Sequence, residues 1–386
     1  MRAFEGIRIL DLTHVFAGPF CTYQMAVMGA EVIKIEPPNS PDMMRNEGYS
    51  ETLNNLGLSN FFVCQNSEKK ALSLDLKAKD GRNFFLKLVR TADVLVQNYS
   101  GRSMEKLGFS YAQIKKINPN IIYCSMTGFG RTGPKAEHPA YDSIIQAYSG
   151  LMELNGVKAT GPIRVGPAIV DYGTGIHAAF AISSALYRRQ ITGEGLEIDL
   201  SMLDAAMMLM TSTVSDSLSS GITAPSYGNN HPDHPGYGAF NASDRMIVIG
   251  AFTKKQLCNL LLGLNLKKEE KLVSSLTKKE MKASYSELRY SIENVIKTKK
   301  ADFWEKKLND CHVPAAKVRN LIEALDSEQI KSRQVLQSSL LEKGCGHPRL
   351  LPVAAFSYSK GSPKLTKPAP KIGKDNFLIR KSLGDS

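Results

Sequence analysis

Long apolar runs are missing from this 386-residue chain. No stretch of about 18 consecutive apolar residues occurs, so no membrane-spanning helix is expected. Met1 to Leu10 mixes acidic and basic residues with no long apolar segment behind them, which argues against a secretory leader. The six cysteines (Cys21, Cys64, Cys124, Cys258, Cys311, Cys345) lack paired spacing. That points to reduced thiols in a cytoplasmic protein rather than a disulfide framework. Metal-ligand spacing is also wanting among the seven histidines. His231 and His234 lie three apart beside Asp233, but in a Pro/Gly-rich loop without further ligands, so no metal is expected. Tryptophan occurs once, at Trp304, and no internal repeat or low-complexity tract is apparent.

What is present is ordinary globular composition: 42% of residues are apolar and 22% charged, which excludes a disordered chain. The length exceeds what one core accommodates, so about two domains are expected. A net charge of +12 invites a polyanion, either nucleic acid or a phosphorylated cofactor. Much of the charge lies in Lys254-Lys255, Lys267 to Lys271, Lys278-Lys279 and Lys297 to Lys300, mixed with Glu and without interleaved aromatics. Such runs read as solvated helix faces, and nucleic acid is not expected as a partner.

Along the chain, Ile7–Thr13, Glu31–Glu36, Ala71–Leu76, Asp93–Tyr99, Asn120–Thr127 and Leu196–Leu200 have the β-branched or alternating character of strands. Helix-length segments separate them, among them one opened by Pro19, Asp80–Thr91, Ala140–Leu154 and Ile176–Arg189. The alternation predicts an α/β fold with a parallel sheet and ligand-binding loops at the strands' carboxyl ends. Gly128-Phe129-Gly130-Arg131-Thr132-Gly133 matches a dinucleotide fingerprint literally, but Pro134 and Pro139 bracket a polar loop where that motif needs a helix. NAD is therefore not expected. The methionine-rich helix Leu203–Val214 reads as core, the Ser/Gly-rich 215–226 as a linker, and the Lys-rich segment around Trp304 as a second domain.

The chain is organised around Val165 to His177. An apolar run (Ala168, Ile169, Val170) delivers Asp171 to Gly173-Thr174-Gly175, expected to be a turn that a substrate can approach closely, before a helical pattern begins at Ile176. An acid at that boundary suits a helix cap equally well, and the residues alone leave both readings open.

Several segments together settle on one resemblance: Leu10 to Val15 with Ala17-Gly18-Pro19; Gly29 to Glu36; Leu74 to Lys77; Ala92 to Leu95 with Asn98-Tyr99; Gly128-Phe129-Gly130 with Gly133-Pro134; Pro139 to Asp142; the Asp171 stretch; Gly228-Asn229 with His231-Pro232; and Ala369-Pro370 with Ile372-Gly373. In this order the chain resembles the class III CoA-transferases, whose relatives include the α-methylacyl-CoA racemases. The resemblance implies a large Rossmann-like domain with a parallel sheet formed by both chain termini (1–214 and 334–386), the linker, and a small α+β domain (227–333). It also implies an interlocked homodimer and coenzyme A as the carried group. Asp171 becomes the acyl-carrying carboxylate. His14, Val15 and Ala17 fall in the cofactor-lining loop, and Asn98, Tyr99, Lys106 and Leu74 lie toward the adenosine end. Phe16, Tyr141, Gly173, Gly175 and His231 stand on the substrate side, the glycines as close-approach backbone for an oxyanion. The racemases place a histidine where this chain has Tyr141, and a phenol, with an ordinary pKa of about 10, is a poor base at neutral pH. Transfer of CoA from an acyl-CoA to a small or medium carboxylic acid is the expectation, with 2-methylacyl-CoA epimerisation as the alternative.

Overall fold

The computed structural model describes residues 1–157, 159–339 and 349–384. They form two compact units, one of 1–152, 164–224 and 331–386, the other of 153–163 and 225–330.

The first unit is built on six strands: β1 (Arg8–Leu12), β2 (Glu31–Glu36), β3 (Lys70–Ser73), β4 (Val94–Gln97), β5 (Ile122–Thr127) and β6 (Glu197–Ser201). All pair in parallel, in the order β3-β2-β1-β4-β5-β6, with Leu10 opposite both Ile33 and Leu95. Alternation sorts their side chains into two cores. Leu10, Leu12, Ile33, Leu72 and Leu95 pack on one face, and Ile9, Val32, Val94, Val96 and Cys124 on the other. Burial on both faces is what parallel strands require, and each such side chain stabilises by about 1.5–3 kcal/mol.

Four helices position the site: α1 (Ala17–Val27), α2 (Asp142–Tyr148), α3 (Ile169–Thr192) and α4 (Met202–Leu209). Cys21 and Met25 of α1 pack with Ala178, Ile182 and Ala185 of α3 beneath the second face. Gly193 closes α3 in the left-handed conformation (φ 71°), its N–H donating to Arg189 O at 2.8 Å.

Several expectations are corrected. Among the described residues the C-terminal segment adds no strand to the parallel sheet, whose six strands lie within residues 8–201. Instead it covers the β3 edge: Asp375 Oδ2 accepts from Ala71 N at 2.8 Å, Asn376 Oδ1 from Ser73 N at 2.8 Å, and Asp375 N donates to Ala71 O at 3.1 Å. An edge strand with free amides needs such a cover. Residues 215–220, within the expected linker, continue the helix Thr211–Ser220, with the Ser219 and Ser220 hydroxyls donating to the carbonyls of Ser215 and Asp216, each at 2.8 Å. The helix expected over 140–154 breaks at Gly150 (φ 86°) into α2 and Leu151–Leu154. Met208 of the methionine-rich helix is exposed rather than core.

The second unit holds a three-stranded antiparallel sheet, Tyr237–Asn241, Met246–Gly250 and Ala315–Lys317, with Met246–Gly250 central, and the hairpin Gly156–Val157 with Gly161–Pro162. Trp304 is buried there and its indole N–H donates to Ile296 O at 2.7 Å. Cys21, Cys64, Cys124, Cys258 and Cys311 are free thiols; Cys345 lies outside the described residues. Among the described residues no helix is long and apolar enough to cross a membrane.

Candidate active site

Asp171 sits in the first turn of α3, where four backbone N–H groups lack intrahelical partners. The residue ahead of the helix, Ala168, has no side chain to cap them. The cap comes from another helix: Asp142, opening α2, accepts on Oδ2 from Val170 N at 2.8 Å and Asp171 N at 3.1 Å. Its other oxygen accepts from Gln146 Nε2 at 2.5 Å, and Gln146 Oε1 accepts from Val165 N at 2.8 Å. Gln146 is fully buried and Asp142 nearly so. The carboxylate of Asp171 is thereby held on rigid backbone.

The Gly-Thr-Gly turn is thus corrected to helix. Gly173 and Gly175 lie inside α3, where their N–H groups belong to its own ladder, so neither offers an oxyanion donor. What they supply is room. A Cβ on Gly175 would stand 2.7 Å from Ala17 O of α1, and one on Gly173 2.9 Å from Leu209 Cδ1 of α4.

In front of Asp171 opens a cavity of about 370 Å³, lined by the segments that follow β1, β4 and β5. The sheet order reverses between β1 and β4, the place where open α/β sheets bind ligands. Of the residues singled out in the sequence, His14, Val15, Phe16, Ala17, Asn98, Tyr99 and Tyr141 line it together with Asp171. Among the described residues Asp171 is the one acid that lines it. The β1 and β4 loops are locked across the switch point: His14 N donates to Asn98 Oδ1 at 2.9 Å and Asn98 Nδ2 to His14 O at 2.8 Å. The His14 ring stands edge-on to Tyr99 at 5.7 Å, and Phe16 lies 6.0 Å from both Phe61 and Tyr172.

Leu74 and Lys106 do not line this cavity. Leu74 is core, packed with Leu72, Leu76 and Phe85 just past the end of β3. Lys106 is exposed at the end of the short helix Ser103–Lys106. His231 belongs to the second unit, its ring 4.5 Å from His234, 5.6 Å from Tyr237 and 5.7 Å from Phe252.

Burial, reinforced by the negative charge of Asp142, pushes the Asp171 carboxyl up to about 7. Burial, with Lys34 second, lowers His14, which keeps its imidazole neutral at pH 7. Beneath the loop lies a set of buried charges that sequence reading missed. Asp11 accepts from Lys69 Nζ at 2.9 Å, Thr13 N at 2.9 Å and Thr22 Oγ1 at 2.7 Å, while Lys34 pairs with Asp42 at 3.1 Å and Glu36 with Arg45 at 2.5 Å. The signal was Lys34 and Glu36 alternating with apolar residues in the strand EVIKIE: a central parallel strand buries both, so each needs a partner.

Residues 4–376 match the model of CoA-transferase family III. The chain belongs to that family. It is accordingly an acyl-CoA:carboxylate CoA-transferase of class III. It is 34% identical over 384 residues to the acetyl-CoA:oxalate CoA-transferase of Acetobacter aceti, covering 98% of this chain and 95% of that one. It is 32% identical over 394 residues to the succinyl-CoA:glutarate CoA-transferase of Mus musculus, covering 99% and 87%. A crystal structure of a CAIB/BAIF family protein from Brucella suis superposes with a TM-score of 0.86 at 29% identity, covering 99% of each chain.

Proposed function

We propose that the enzyme moves CoA from an acyl-CoA donor to a small or medium carboxylic acid through covalent intermediates on Asp171. The observation that carries this reading is the Asp171 carboxylate, its backbone capped by Asp142, as the one acid among the described residues that lines a cavity at the sheet's switch point. An Asp171 carboxylate oxygen attacks the thioester carbonyl, the C–S bond breaks, and CoA thiolate leaves an aspartyl–acyl mixed anhydride. The thiolate attacks the Asp171 carbonyl carbon and expels the donor acid, giving an aspartyl-CoA thioester. The acceptor carboxylate attacks that carbon, thiolate leaves again, and a second anhydride forms. Thiolate then takes the new acyl group and frees Asp171. No net proton is gained or lost, so no external base is required. A carboxylate is a weak nucleophile, and fixed geometry in a largely buried site supplies most of the acceleration.

Loop residues His14, Val15 and Ala17 with Asn98 and Tyr99 would carry the CoA side, and Phe16 and Tyr141 the acyl side. A homodimer accords with an uncovered apolar stripe on α3: Ile176, Phe180, Tyr187 and Ile191, one above another and 58–71% exposed. Interlocking of its subunits follows the family resemblance.

The test is a matrix of acyl-CoA donors against acids, including the oxalate and glutarate named in the relatives, read as new acyl-CoA by mass. Transfer that requires both partners supports the reading. Deuterium entering the α-carbon of a 2-methylacyl-CoA without any acid present would replace it with epimerisation.

A further inference from the structure

Val15 stands in the left-handed region, φ 70°, which a β-branched residue rarely adopts. It does so in the loop that lines the Asp171 cavity. Its N–H donates to Asp42 Oδ1 at 3.2 Å. The other oxygen of Asp42 accepts from Lys34 Nζ at 3.1 Å, and the same ammonium donates to Thr13 O at 2.7 Å. One ion pair thus grips the backbone on both sides of His14. Both side chains are wholly buried. Asp42 is itself fixed, its N–H donating to Glu36 Oε1 and its Oδ1 accepting from Met44 N, each at 3.1 Å.

Buried ion pairs are poor sources of stability, since apolar replacements of similar volume commonly serve as well. A charged pair here needs another reason. Its distinguishing property is that it satisfies the two peptide groups flanking His14, the second of them the N–H of strained Val15 itself, and strain of this kind persists only where its surroundings over-determine it.

We propose that Lys34 and Asp42 are positioning residues for coenzyme A: they clamp Val15 in its left-handed conformation and so keep the His14–Ala17 loop in the shape that lines the cavity. The inference rests on the functional reading above. Neither residue touches the reacting atoms; both act through the loop.

Calorimetry with CoA itself, on the full-length protein, tests it. In Lys34→Met/Asp42→Ala, which leaves no charge of the pair unpartnered, the Kd for CoA rises about tenfold or more, while kcat at saturating acyl-CoA changes by less than about threefold. Adding Val15→Gly to that variant recovers most of the affinity, because glycine takes positive φ without strain. A general loss of structure would show no such rescue. In the native background Val15→Gly raises Tm by about 1–3 °C as strain is released, and this arm decides the matter even if the double variant fails to fold. A double variant binding CoA like the native protein, an absent rescue, or a fall in Tm with Val15→Gly would overturn the clamp alone. A native protein that binds no CoA would overturn both the clamp and the functional reading.

Discussion

One oxygen of Asp142 accepts the backbone N–H of Asp171, at 3.1 Å, so the acid that caps the helix and the acid that faces the cavity are joined through a single peptide. The arrangement fixes Asp171 in space and sets a like charge beside it. Position and protonation therefore have a common origin.

Attack requires the ionised carboxylate, and burial followed by Asp142 raises the Asp171 carboxyl to about 7. The profile of kcat/KM for acyl-CoA is therefore expected to rise about tenfold per pH unit up to about pH 7 and level off above. A profile flat between pH 5 and 8 would disagree.

Removing the like charge should shift that limb. In Asp142→Asn the midpoint is expected to move to lower pH yet stay above 3.8, because burial, the larger cause, remains. The amide oxygen can still accept the capped N–H groups, but its nitrogen faces the Gln146 Nε2 donor, so a folding cost of about 1–3 kcal/mol is expected by urea melts. An unmoved midpoint would mean that Asp142 acts only as a cap.

A raised carboxyl also bears on stability. Below 3.8 Asp171 is neutral in folded and unfolded chains alike; between 3.8 and about 7 only the unfolded chain ionises it, so stability falls across that window and levels off once the folded chain must ionise the buried group. At about 1.4 kcal/mol per pH unit, that ionisation costs on the order of 4 kcal/mol at alkaline pH. Asp171→Asn should therefore match the native Tm at pH 4 and exceed it at pH 8.5, while losing transferase activity. Thermal melts across this range check the sign.

Gly175 tests the corrected helix. A Cβ there would meet Ala17 O at 2.7 Å, whereas one on Gly166 would meet nothing within 4 Å. Gly175→Ala is expected to lose about 1–3 kcal/mol with most activity, and Gly166→Ala to melt like the native protein. Equal melts would restore the turn.

Much of this was legible beforehand, and the remainder has definite causes. β-branched runs such as Ile7–Thr13 announce buried strands, while the residues of the loops after β1 and β4 came from the family resemblance, in keeping with binding at the carboxyl edge of an α/β sheet. Gly173-Thr174-Gly175 misled because glycine disfavours helices locally, while α1 approaches so closely that a Cβ on Gly175 would meet the Ala17 backbone carbonyl. The cap from Asp142 was invisible because it acts across 29 residues, not the two or three of a local cap. Leu74 alternates like its neighbours, and nothing local distinguishes a core leucine from a lining one. The Lys34–Asp42 pair depends on where the chain returns after Pro37-Pro38, which periodicity does not encode.

Covalent capture on one side chain is the most direct test of the central claim. The enzyme is incubated with a competent acyl-CoA, quenched with borohydride, digested and sequenced by mass spectrometry. Reduction of an aspartyl-CoA thioester leaves an alcohol at position 171, and its appearance only when acyl-CoA is present is the predicted result. Steady transfer with Asp171 unmodified throughout, or native turnover by Asp171→Asn, would contradict it.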